Sequence, residues 1–148
     1  MNRLEQLRQT VNEILRQQES PWGYVHLYGV SATCVLLAVK RGLDPELAAV
    51  VGMLHDISTY KTGDRTDHAP RGAVEAQGIL ERLGSFTQDE IALICDAISR
   101  HAGKDAVDGD LAELLKDADV LQPYLYNPRI ESKFPERLRS ILAELDLS

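Results

Sequence analysis

A chain of 148 residues with 44% apolar, 26% charged and 5% aromatic side chains has enough hydrophobic surface for one core and reads as one globular domain, 1–148. Sixteen lysines and arginines against twenty-three aspartates and glutamates leave a net charge of −7, which argues against duplex nucleic acid held on a basic surface. No run approaches the roughly 20 uninterrupted apolar residues of a membrane span, and the opening MNRLEQLRQT lacks the apolar segment of a secretory signal. The expected location is therefore the cytoplasm, with no membrane partner.

Apolar residues recur at helical spacing through almost the whole chain, and strand-like alternation is hard to find, so the expected class is all-α: a compact bundle of about six to seven helices. Leu4, Leu7, Val11, Ile14 and Leu15 mark a first amphipathic helix. Ser20 and Pro21 open a long, nearly buried second one that stops near Gly42, where a missing side chain permits a left-handed cap. Asp44 and Pro45 start a third, with Leu47, Val50, Val51 and Leu54 inward. Periodicity then lapses from Ser58 to Asp67, which reads as a surface loop. Pro70 begins the next helix and Gly84 ends it; Thr87 with Glu90 forms a capping box for the one after, through Ile91, Ile94, Cys95 and Ile98. Asp110 and Glu113 signal another start, Asn127 and Pro128 break that helix, and a last one follows Pro135. Cys34 and Cys95 lie inside apolar patterns without partners at metal-finger spacing and read as buried thiols.

The chemistry begins at VVGMLHDI, where His55 and Asp56 stand together at the end of an apolar helix. Burying a carboxylate beside an imidazole is costly unless both are paired or bind a cation. A single buried histidine is ordinarily a hydrogen-bonded core residue, but His26 lies inside an apolar helix, His68 at a loop-to-helix junction and His101 at the close of a third helix. Facing helices of a bundle bring such positions together, and Asp117 or Asp119 in LLKDADVLQ offers a further carboxylate. Helical periodicity leaves the choice between those two open.

The run from His26 through His55 and Asp56 to DADVL resembles the HD superfamily of metal-dependent phosphohydrolases, with the matching motif core expected over 21–126 between flanking terminal helices. The resemblance implies that Asp56 bridges two ions, that His26, His55 and Asp119 complete one coordination sphere, and that His68 and His101 serve the other. It favours Asp119 over Asp117, which is then a solvated residue or a partner orienting a ligand. Imidazole with carboxylate suits one or two divalent transition-metal ions such as Mn, Fe, Co, Ni or Zn. The implied reaction is hydrolysis of a phosphate ester or anhydride by metal-activated water, with Asp56 and Lys61 as catalytic residues and a small phosphorylated substrate, a nucleotide above all. Lys61, Arg65, Arg71 and Lys104 are the candidate substrate-binding cations, Lys61 first. AISRHAGKDAVDGD lacks the Gly-Tyr-Pro signature of the cyclic-dinucleotide esterases, and Ile57 to Tyr60 lacks the acidic residue of the stringent-response hydrolases and the deoxynucleoside monophosphatases. The branch acting on diadenosine tetraphosphate is nearer in pattern. The other reading is a non-catalytic metal-binding or ligand-binding helical module.

Overall fold

The structure is a computed structural model describing residues 1–148. It contains eight helices and no strand: α1 (Arg3–Arg16), α2 (Trp22–Arg41), α3 (Pro45–Leu54), α4 (Ile57–Thr62), α5 (His68–Leu83), α6 (Gln88–Arg100), α7 (Asp110–Tyr126) and α8 (Pro135–Glu144). Local chemistry sets many of the ends. The Asn2 side chain accepts from the Glu5 amide while the Glu5 carboxylate accepts from Asn2, and Thr87 and Glu90 repeat this box at α6. Asp44 accepts the amides of Glu46 and Leu47 ahead of Pro45. Gly42 closes α2 at φ 70°, a conformation a side chain would strain.

Helix α2 runs through the middle, with α3 and α7 packed against it. By length and composition alone it is apolar enough to cross a membrane; here Leu27, Val30, Cys34 and Leu37 are buried in the core instead. Contact between α2 and α3 is close because Gly52 faces the backbone of Ser31, whose hydroxyl donates to the Ala49 carbonyl at 2.8 Å. The 30-residue core is almost wholly aliphatic, Phe86 being its single aromatic member.

Five local expectations change. Ser20 does not cap α2: Pro21 stands at the cap position without a side-chain cap bond, and the helix starts at Trp22. Of the loop expected over Ser58 to Asp67, residues 58–62 belong instead to α4, because Ile57 and Ser58 are buried and the segment packs against α1 and α5. Helix α5 begins at His68 rather than Pro70, which the first turn tolerates because its N–H would be unpaired there. Asp110 is the first residue of α7 rather than its cap, which is Gly109; Glu113 instead accepts from the amide of Asp108 at 3.1 Å. Cys34 is buried, but Cys95 is only half-buried and donates to the Ala73 carbonyl.

Candidate metal centre

Five helices and one helix junction converge on a single spot. His26 sits in the second turn of α2, Asp119 in the middle of α7, and His68 is the first residue of α5. His55 and His101 occupy equivalent places, each the cap at the C-terminal end of its helix, α3 and α6. Carbonyls in a last helical turn lack intrahelical partners. His55 Nδ1–H donates to Gly52 O and His101 Nδ1–H donates to Ile98 O, both at 2.7 Å. A carbonyl can only accept, so each Nδ1 carries a proton and each Nε2 is the nitrogen turned inward, a metal ligand once it carries none. His26 is oriented in the same way by the Gln122 side-chain oxygen, 3.0 Å from its Nδ1. Asp56 lies between α3 and α4, where the helix breaks; that break lets two consecutive side chains, about 100° apart on a continuous helix, meet at 3.2 Å.

Asp56 faces two groups with its two oxygens. Oδ2 lies 3.1 Å from His26 Nε2 and 3.2 Å from His55 Nε2, while Asp119 Oδ1 lies 3.4 and 3.3 Å from the same two nitrogens. Oδ1 lies 3.3 Å from His101 Nε2 and 3.9 Å from His68 Nε2. In each group the ligating atoms are all within 4.8 Å of one another. With the rings neutral, acceptors face acceptors: the Nε2 atoms of His26 and His55 are 3.1 Å apart, and Asp56 Oδ1 and His101 Nε2 are buried without a hydrogen-bond partner. Cations resolve such a conflict, and imidazole nitrogens with carboxylate oxygens are a donor set for divalent transition metals. Residues and group fit.

The electrostatics agree. Burial works against charge on His26 and His55, yet Asp119 and Asp56 outweigh it, pushing the first up to about 9 and the second up to about 10. Burial likewise opposes the charged forms of Asp56 and Asp119, but the surrounding imidazoles hold both well below the usual carboxylate range. The carboxylates therefore hold protons on the rings, which an incoming metal ion must displace. Burial lowers His68.

Four of the six, His26, Asp56, His68 and Asp119, line a cavity of about 440 Å³, within the range of small-molecule sites, with His55 and His101 buried. The expected cations divide. Lys104 donates to Asp119 Oδ2 at 2.7 Å and to His101 O at 2.6 Å, and lines the cavity together with Arg65, which makes no ion pair. Lys61 does not reach it. On the helix that replaces the expected loop its side chain turns outward, 48% exposed, and pairs with Glu75 at 2.9 Å. Arg71 is exposed, pairs with Asp64 at 3.0 Å and borders a separate surface depression. Asp117 is largely removed from solvent, and its bonds go to Arg41 and Arg137, each at 2.7 Å, rather than to any of the six clustered side chains. Gln122, Trp22 and the segment 130–134 belong to the site without having been singled out in the sequence, where an amide, a lone indole and a loop carry no distinctive spacing. Pro123 was likewise silent: inside α7 it removes the N–H that would bond the Asp119 carbonyl.

The HD domain family matches residues 23–124, a span holding all six clustered side chains. A Bacillus subtilis (strain 168) protein named "Putative phosphohydrolase YueE" is 32% identical over 117 residues, covering 67% of this chain and 65% of that protein, so the match spans less than two thirds of the relative's length. No solved structure matches.

Proposed function

This chain belongs to the HD domain family, and from that premise and the geometry of the cluster we propose that it is a metal-dependent phosphohydrolase. The observation that carries the reading is the buried Asp56 carboxylate, which offers Oδ2 to His26 and His55 and Oδ1 to His101 and His68. His26, His55, Asp56 and Asp119 would hold one divalent ion, and Asp56, His68 and His101 a second. The ions, Mn, Fe, Co, Ni or Zn by donor chemistry, supply water made nucleophilic and a counter-charge for the phosphoryl oxygens.

The remaining work falls to the chain itself. Gln122, Gly52 and Ile98 hold three rings in one tautomer, so the donor atoms need no rearrangement. Lys104 neutralises the outer oxygen of Asp119 and presents its ammonium to the cavity. Arg65, unpaired at the wall, takes the role the sequence had offered to Lys61, that of holding a phosphate oxygen that is not transferred. The substrate is a phosphate ester or anhydride of a nucleotide or another small phosphorylated metabolite, and the finer reading is a dinucleoside polyphosphate such as diadenosine tetraphosphate. The closeness in histidine pattern supports that finer reading.

Metal analysis of the purified protein, followed by a Mn-supplemented panel of mononucleotides, dinucleoside polyphosphates and sugar phosphates, tests the proposal. Hydrolysis abolished by chelator and by Asp56→Ala, together with metal loss in that variant, is the expected result. Stoichiometric metal with no turnover across the panel would leave a non-catalytic metal-binding module, and ordinary activity in Asp56→Ala would remove the scheme.

A further inference from the structure

The fold makes little use of aromatic rings, yet the cavity is rich in them. Of one tryptophan, five tyrosines and two phenylalanines in the chain, Trp22, Tyr60, Tyr124 and Phe134 line it. Tyr60 and Tyr124 also pack against the core; Trp22 and Phe134 belong neither to the core nor to its partly buried surround, and stay 38% and 37% exposed. Stability does not explain them. Trp22 is nonetheless fixed, its plane 11° from that of His26 with centroids 6.1 Å apart, and Tyr126 set edge-on at 5.0 Å. Phe134 has the Lys104 ammonium 5.8 Å from its ring centre. A wall that offers pre-set ring faces beside ammonium groups, above a floor suited to phosphate, is complementary to a phosphate joined to a flat ring.

We infer that Trp22 and Phe134 form a ring-selective subsite, so that the organic part of the substrate is a flat heteroaromatic ring, as in a nucleoside phosphate, rather than an aliphatic sugar or polyol. The inference rests on the phosphohydrolase reading for the phosphate end only. Base stacking on an aromatic side chain corresponds to roughly ten-fold or more in affinity per ring.

The test needs no turnover. Trp22 is the single tryptophan, so its fluorescence in the full, metal-supplemented protein reports on the cavity directly. The probes are α,β-methyleneadenosine diphosphate and methylenediphosphonate, which share a non-hydrolysable head and differ by the nucleoside. The adenosine compound is expected to quench saturably and to bind about ten-fold or more tighter than the bare diphosphonate. By calorimetry, Trp22→Leu and Phe134→Leu should each weaken it about five- to twenty-fold while leaving methylenediphosphonate within about two-fold, and Phe134→Tyr should restore binding. Equal affinity for the two probes, or a preference that survives both leucine variants, overturns the subsite. Ring preference in a protein that hydrolyses nothing would remove the phosphohydrolase reading and keep the subsite; hydrolysis without ring preference would do the reverse.

Discussion

Gln122 shows how much a neutral side chain contributes to a charged site. It is buried, belongs to α7 three residues after Asp119, and accepts from His26 Nδ1. Gln122→Leu should keep the fold but free the His26 ring, lowering metal affinity by about ten- to a hundred-fold, as read by competition with a chromophoric chelator. Lys61→Ala is expected to change kcat/KM by less than about two-fold, since an exposed pair with Glu75 contributes little; a large loss would return Lys61 to the reaction. Both follow from what a sequence can and cannot carry. Imidazole and carboxylate are so unusual inside apolar helices that their positions named four histidines and Asp56 and left Asp117 or Asp119 open; the family resemblance chose Asp119, and the structure gathers those six. An amide has no such signature. The direction of Lys61 depends on whether ISTYKT is loop or helix, and that is settled by packing rather than by the six residues themselves.

At the scale of elements, the tightest joint in the bundle is the crossing of α2 and α3. A Cβ on Gly52 would stand 2.4 Å from Ser31 Cα and 2.7 Å from Ser31 N, backbone atoms that cannot swing aside. Gly52→Ala should therefore destabilise the protein by about 3 kcal/mol or more, at or beyond the usual range for overpacking, as measured by urea unfolding. The effect extends to the site, because the Gly52 carbonyl orients His55. Helix ends written in local chemistry were legible: Gly42, Asp44 with Pro45, and the Thr87–Glu90 box all lie where their residue types place them. Starts decided by tertiary burial were not, as α4 and the entry to α5 demonstrate. Residue Asp67, at φ 48°, turns the chain into α5 by a conformation its sequence does not announce.

Across the whole molecule, an ion-pair network fastens the last helix to the rest. Arg41 of α2 binds Glu144 of α8 and Asp117 of α7, and Arg137 of α8 binds Asp117, Glu113 and the carbonyl of Lys104. The Arg41 bond lowers Glu144; burial raises Glu113, but its bond to the fully buried Lys116 outweighs this. Carboxylates depressed in the folded state stabilise it fully above the unfolded glutamate value of about 4.3, and that contribution disappears as pH falls through the folded values. The share of the urea midpoint that these glutamates contribute should thus stay level from about pH 7 to 5 and decline below about 4.3. Glu144→Gln should make that decline shallower, which circular dichroism at successive pH values will show.

The six converging side chains come from sequence positions as far apart as 26 and 119. No short peptide from this chain holds both groups of donors, and a nascent polypeptide interrupted before α7 lacks Asp119, the last member of the group with His26, His55 and Asp56. That group would be complete only once α7 has packed against α2 and α3, so its choice among competing ions would rest on the assembled geometry rather than on whichever cation first meets the emerging chain.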